Sequence, residues 1–253
     1  MARTVEDVRL LFEILAAQDP LDPVSPPVGL RACSIDNVKS IPIGWLEDDG
    51  HTPVTEETRE AVRNAASTLA RQGFKVRRFR PAGLDELREL WWTFFVQCGA
   101  MFYAPVIRGH EQELSPIFRN FLETAAALPP LTAESLLQAW ARCDLVRGRV
   151  LAQMRDTPLL LTPVCSVPAF RHGEREWEVD GTHVSYLDAM RYTQWFNVLA
   201  APAAVVPVSR SREGLPIGVQ IAGRPFEDGQ VLAVAAAIER EFGYCPPPLV
   251  ERS

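Results

Sequence analysis

The segment 186–242 constrains the fold most, because it sets out a helix, two strands and a closing helix in one run. Residues 203–208 are apolar and include β-branched valines, which is typical of a strand covered on both faces. A polar stretch that ends in glycine follows, as in a hairpin connection. The next strand is expected to begin at Pro216, since proline cannot donate to a sheet ladder. We therefore predict adjacent antiparallel strands within residues 203–222.

Helical spacing of apolar residues predicts a closing helix from Glu227 that ends at Gly243. The same pattern predicts helices that begin at Thr4 and Thr55, and others over 84–107, 115–127 and 133–154. Further strands are predicted near 30–38, 74–79 and 159–164, whereas residues 171–182 are interpreted as a solvated loop. Strands that alternate with helices indicate an α/β fold.

Three motifs carry a family resemblance: Phe196-Asn197-Val198-Leu199-Ala200-Ala201-Pro202-Ala203, Leu215-Pro216-Ile217-Gly218-Val219-Gln220-Ile221 and Gly223-Arg224-Pro225-Phe226. Their order resembles the carboxyl-terminal part of the amidase signature family, serine hydrolases of carboxamides. The chain departs from that family at Leu199 and Ala200, where the family usually has Thr and Gly. The resemblance implies a mixed β-sheet flanked by helices.

The first residues, Met1-Ala-Arg-Thr-Val-Glu-Asp, also resemble the family, in which this run lies mid-chain, shortly after the catalytic segment. The sequence shows no internal repeat or domain linker. From the resemblance we therefore expect residues 1–253 to form a single partial amidase domain, incomplete at its amino-terminal side.

The catalytic groups that the family uses are missing from this sequence. The resemblance implies a Ser nucleophile, a second Ser held by a cis peptide and a Lys that accepts the proton, because a hydroxyl needs a base within hydrogen-bond reach. No Gly-Ser dipeptide occurs, and the only lysines are Lys39 and Lys75, both interpreted as surface residues. We therefore predict no catalytic residue of this type and no cofactor.

Other chemistries have weaker support. The four histidines have no metal-binding spacing, and the glycines near Gly218 form no phosphate-binding pattern. A nucleophilic pair of Cys165 and His183 is an alternative, because Cys165 lies in the loop after a strand. A lone cysteine after a buried strand is more often a small apolar residue.

A pocket wall is the role that the resemblance leaves to this chain. In the family, the loop after the strand near 159–164 and the helix before Pro202 face the substrate. The residues implied on that basis are Thr162, Pro163, Val164, Trp195 and Asn197. The structural alternatives are that Trp195 belongs to the core and that Asn197 bonds backbone groups at the helix end.

Composition limits the classes of partner that this chain is expected to bind. A formal charge of −6 and a pI near 5.4 argue against a nucleic-acid surface. No signal peptide is recognisable, so we expect a cytoplasmic protein with reduced thiols. The most apolar segment, 91–105, is interrupted by Gln97, Gly99 and Pro105. It is interpreted as a buried core helix and not as a membrane span.

Three hypotheses remain open at this point. The chain is the carboxyl-terminal portion of an amidase that is inactive alone, or one half of a split amidase that a separate chain completes, or a non-catalytic binding module. Its partner in the first two cases is a small-molecule amide, available only once an amino-terminal half completes the pocket. Because such a half would cover apolar surface and a strand edge, we also expect a homo-oligomer or a poorly soluble protein.

Overall fold

The computed structural model describes residues 1–16 and 18–243. The helices are α1 (Val5–Leu15), α2 (Ile35–Val38), α3 (Glu56–Arg71), α4 (Leu84–Trp91), α5 (Cys98–Ile107), α6 (Pro116–Ala126), α7 (Ala133–Gln153), α8 (Tyr186–Ala189), α9 (Arg191–Leu199) and α10 (Asp228–Phe242). A π-helical turn, Trp92–Gln97, joins α4 to α5, and Glu111–Glu113 form a 3₁₀ turn. The strands are β1 (Ile43–Trp45), β2 (Val76–Arg78), β3 (Leu159–Pro163), β4 (Glu176–Val179), β5 (Thr182–Ser185), β6 (Ala203–Arg210) and β7 (Pro216–Ala222).

Five of these strands form one mixed sheet in the order β2-β1-β3-β7-β6. Strand β1 runs parallel to β2 and β3, whereas β7 is antiparallel to both β3 and β6. The predicted mixed sheet flanked by helices is confirmed, as is the antiparallel pair within residues 203–222. Strand β7 begins at Pro216, and the β6–β7 register shifts by one residue between Pro207 and Ser209.

The two faces of the sheet bury different helices, because successive side chains of a strand point to opposite sides. Leu161 and Ile221 belong to a core shared with α3 and α10. Leu160 and Ala222 belong to a second core shared with α4, α7 and α9. The closing helix α10 buries the predicted stripe that contains Val234 and Ile238, and it ends at Gly243 as expected.

The strand predicted near 30–38 is wrong. Ser34 is an N-cap instead, since its Oγ accepts a hydrogen bond from the Asn37 N–H and starts the short helix α2. The strand beside β2 is β1, only three residues long and centred on Gly44. A Cβ at Gly44 would lie 2.8 Å from Phe79 Cδ1, so only glycine fits at this position.

The loop predicted over 171–182 is also wrong in part, because β4 and β5 form a hairpin there. Its turn is Asp180-Gly181, with φ angles of 51° and 74°. Positive φ at both residues is the geometry that favours Asp-Gly in a two-residue hairpin.

The apolar segment from Leu84 to Ile107 is buried only in its first part. Leu87 and Leu90 lie in the core, but no residue of α5 is buried, and Phe102 is 72% exposed. The prediction of a buried core helix therefore fails for α5. By length and composition, this 24-residue helical stretch is long and apolar enough to cross a membrane.

Ala200 gives a test of backbone strain. It ends α9 with φ 52° and ψ 42°, a left-handed conformation that costs a Cβ-bearing residue about 1–2 kcal/mol. We expect Ala200→Gly to raise the free energy of unfolding by about 0.5–1 kcal/mol, since the gain exceeds the entropy cost of glycine. Thermal unfolding would measure it. The control Ala70→Gly, at an exposed site in α3, should destabilise instead, and a loss of stability in both variants would contradict this account.

Candidate functional site

The site implied by the resemblance starts where β3 ends. Thr162 pairs with Gln220 of β7, which pairs in turn with Val205 of β6, so the three side chains lie on the same face of the sheet. Gln220 Nε2 donates to Thr162 Oγ1 and to the Tyr192 carbonyl, each at 3.1 Å. Thr162 Oγ1 donates to the Pro163 carbonyl at 2.8 Å. These buried groups satisfy one another and tie β3 and β7 to α9.

A buried cation also fixes the amino-terminal end of α9. The Arg191 side chain is 6% exposed and forms ion pairs with Asp49, which is fully buried, and with Asp85 at 2.9 Å. Arg191 Nη1 also donates to Thr52 Oγ1 at 3.0 Å. Burial is the main cause that raises the pKa of Tyr192, and the charge of Asp49 adds to it. The Tyr192 hydroxyl accepts a hydrogen bond from the Asp49 N–H at 3.2 Å.

The two predicted site residues on α9 have different environments. Trp195 is fully buried, with ring centroids 5.1 Å from Tyr192 and 6.3 Å from Phe196. Its environment is that of a core residue. Asn197 is exposed, and its Oδ1 accepts a hydrogen bond from Trp91 Nε1 at 3.2 Å. The Asn197 side chain therefore joins α9 to the end of α4, while its backbone carbonyl accepts the Ala200 N–H at 3.3 Å.

An uncovered part of the sheet lies beside the end of β3. Ala203, Val205 and Pro207 are exposed and share the face of Gln220, whereas Val206 and Val208 on the opposite face are buried. The Val205 and Val164 side chains pack beside Gly218: a Cβ at Gly218 would lie 3.0 Å from Val205 Cγ1 and 3.7 Å from Val164 Cγ2. We call Ala203, Val205, Pro207 and Gly218, with Val164 beside them, the open face.

The structure thus places the five predicted site residues in different environments. Val164 borders the open face, Thr162 and Pro163 are buried at its base, Trp195 is core and Asn197 is on the surface of α9. Two clefts in the described part of the chain, of about 770 and 390 Å³, are lined by other residues. Sequence reasoning missed Gln220 and Val205, although both lie in or beside the motifs that carried the resemblance.

The cysteine alternative has unfavourable electrostatics. Burial raises the pKa of Cys165 to about 11, although the backbone amides of Val167 and Ser166 oppose the shift. A thiol with that pKa is protonated at neutral pH and is a poor nucleophile. His183 is exposed, and its Nδ1 lies 3.4 Å from Glu178 Oε1.

The surroundings of the two lysines differ. Lys39 Nζ lies 3.0 Å from Asp36 Oδ1, and Lys75 is exposed. Among residues 1–16 and 18–243, no hydrogen bond joins either lysine to a serine. Over the same ranges, no group of three or more His, Cys, Asp or Glu side chains is placed to hold a metal ion.

Comparisons with known proteins identify the family of this chain. The Amidase family model matches residues 1–232. The chain belongs to the amidase family. It is 27% identical to an indoleacetamide hydrolase of Bradyrhizobium japonicum over 96% of this chain and 51% of that protein. It is 26% identical to an amidase of Pseudomonas putida over 95% of this chain and 52% of that enzyme.

The solved structures that match this chain are also covered over about half of their length. A crystal structure of an amidase matches with a TM-score of 0.77 at 24% identity, over 96% of this chain and 52% of that one. A 6-aminohexanoate cyclic dimer hydrolase matches with a TM-score of 0.77 at 23% identity, over 96% and 54%. These likenesses establish the fold of the domain. The chain spans about half the length of the relatives it matches.

The buried cation gives a stability prediction. We expect Arg191→Met to lower the free energy of unfolding by about 3–5 kcal/mol, because it leaves the buried Asp49 carboxylate without its partner. The matched control is Arg212→Met, since Arg212 is 93% exposed and should change stability by less than about 0.5 kcal/mol. Denaturant titration of both variants is the measurement, and equal effects would contradict the proposed role of Arg191.

Cys165 gives a pH prediction. Because its pKa is raised to about 11, alkylation by iodoacetamide should be slow at pH 7.5 and should accelerate up to about pH 11. The folded state retains the thiol proton that the unfolded state loses near pH 9, so this group also costs stability as pH rises from about 9 to 11. Peptide mass spectrometry after a short labelling pulse would measure the rate, and fast labelling at pH 7.5 would refute the assignment.

Proposed function

We propose that this chain supplies the sheet and one pocket wall of an amidase that hydrolyses the C–N bond of linear carboxamides, and that the nucleophile and base come from residues outside this sequence. The observation that carries the proposal is the open face, an uncovered apolar part of the sheet that begins beside Val164. Family membership over residues 1–232 and the half-length coverage of relatives support it.

The chemistry explains why this half does not suffice. Amide hydrolysis by a serine enzyme needs an activated hydroxyl, a base in contact with it and donors for the oxyanion. The sequence has two lysines, neither bonded to a serine in the described structure, and no Gly-Ser dipeptide. Binding alone would leave only a small residual rate.

The described residues suit a positioning role. Gln220 holds Thr162 and α9 together, so Val164 is presented from a rigid strand end. Val164 and Val205 offer an apolar surface to the acyl part of a substrate, and the exposed Asn197 lies on the neighbouring helix. Because a relative is named as an indoleacetamide hydrolase, indole-3-acetamide is the first substrate to test.

The purified chain alone should not hydrolyse indole-3-acetamide or benzamide above the rate of a buffer control, as ammonia release would show. Turnover that disappears in Cys165→Ala would overturn the proposal and establish a cysteine enzyme. Turnover that survives in Cys165→Ala would show that this chain holds another complete catalytic set.

A gain-of-function experiment distinguishes the remaining hypotheses. A chimera would join this chain to the part of the Bradyrhizobium japonicum enzyme that it does not match, and only chimeras with a cooperative melt would be assayed. Hydrolysis that falls on Val164→Asp, but not on the matched surface change Val106→Asp, supports a pocket wall. Activity on co-expression of the two parts as separate chains supports a split enzyme. A folded but inactive chimera favours a non-catalytic module.

A further inference from the structure

The three segments that form the open face carry no charge. Residues 157–170, 199–208 and 214–223 contain no Asp, Glu, Lys, Arg or His. They supply β3, β7 and the part of β6 that carries the face. Along β6, the first charged residue beyond the face is Arg210, whose Nη1 donates to the Gly214 carbonyl at 2.7 Å. This wall therefore offers no charge of its own to pair with a charged group of a substrate.

The polar side chains at the base of the face are already bonded. The Gln220 amide has two N–H donors, and they bond Thr162 Oγ1 and the Tyr192 carbonyl. The Thr162 hydroxyl donates to the Pro163 carbonyl. Neither side chain has a donor left for a carboxylate.

Val205 is the large apolar side chain at the centre of the face, between Ala203 and Pro207, and it is 54% exposed. Gly218 leaves room for it, since a Cβ at Gly218 would lie 3.0 Å from Val205 Cγ1. A group that rests on the face thus contacts valine methyl groups on a strand. A charge placed there would lose water and gain no partner from this wall, which costs free energy.

We infer that the completed enzyme takes amides whose acyl group is apolar and uncharged, and that Val205 determines this selection. The inference rests on the proposed function, in which the open face contacts the acyl part of the substrate. Phenylacetamide represents the accepted class. Amides with a carboxylate on the part of the acyl group that rests on Val205 form the excluded class.

Three matched amides separate charge from size in the chimera described above. They are phenylacetamide, 4-nitrophenylacetamide and 4-carboxyphenylacetamide; a nitro group has the shape of a carboxylate but no net charge. The first two should have similar kcat/KM, and the third a value lower by about tenfold or more. Equal values for the nitro and carboxylate amides would overturn the inference, because residues outside this sequence would then pair with the charge.

A change of specificity tests Val205 itself. Val205→Lys places an ammonium group on the wall, so the kcat/KM of the carboxylate amide relative to the nitro amide should rise by about tenfold or more. The matched control is Val24→Lys, the same change at a loop residue that is 85% exposed, and it should leave the ratio unchanged. Melting temperatures would confirm that both variants are folded. An unchanged ratio in folded Val205→Lys, or an equal rise in the control, would refute the role of Val205.

Binding to this chain alone gives a readout that needs no hydrolysis. In methyl-detected NMR, phenylacetamide and the nitro amide should shift the Val164 and Val205 signals, and the carboxylate amide should shift them at least about tenfold less at the same concentration. The Val24 signals should not move. Equal shifts by the nitro and carboxylate amides, or no shift with any amide, would overturn the inference. Selective shifts with a chimera that hydrolyses none of the amides would count against the proposed function alone, and hydrolysis without charge selection against this inference alone.

Discussion

The buried ion pair between Arg191 and Asp49 sets the position of α9, on which the candidate site depends. Placing two charges in a dry interior costs free energy, so the pair stabilises little relative to apolar residues of the same size. Removing one partner is far more costly than the pair is worth. Because Arg191 also reaches Asp85 and Thr52, it holds the loop after β1, the start of α4 and α9 in one arrangement.

That arrangement determines which part of the sheet is covered. With α9 in place, Gln220 reaches the Tyr192 carbonyl, and the helix lies over β3 and β7. It does not extend over β6, so Ala203, Val205 and Pro207 face outward. The open face is therefore the part of the sheet that α9 leaves exposed.

The sequence predicted the elements that are long and periodic, including α3, α7, α10 and the β6–β7 pair. The prediction from sequence failed where a single local interaction decides which element forms. Ser34 caps α2 within a run whose alternation only resembled a strand, and β1 is too short to show a period. Apolar content predicted burial for α5, but burial depends on the elements that surround a helix, which its own sequence does not encode.

The candidate site was predictable only in outline. The position of Thr162 and Val164 at the end of a buried strand followed from the motif order. The core environment of Trp195 could not be separated from a pocket role, since an aromatic residue on a helix suits both. The contribution of Gln220 depends on pairing between strands distant in sequence, and the strain at Ala200 depends on how α9 ends.

The proposed function requires that this chain forms a wall of an amidase site but holds no activated nucleophile. Reaction with a fluorophosphonate, which forms a covalent bond to activated serine hydroxyls, tests it most directly. Intact-mass and peptide analysis of the folded chain should show no added phosphonyl group. A stoichiometric adduct on any serine of residues 1–253, lost on heat denaturation before labelling, would contradict the claim.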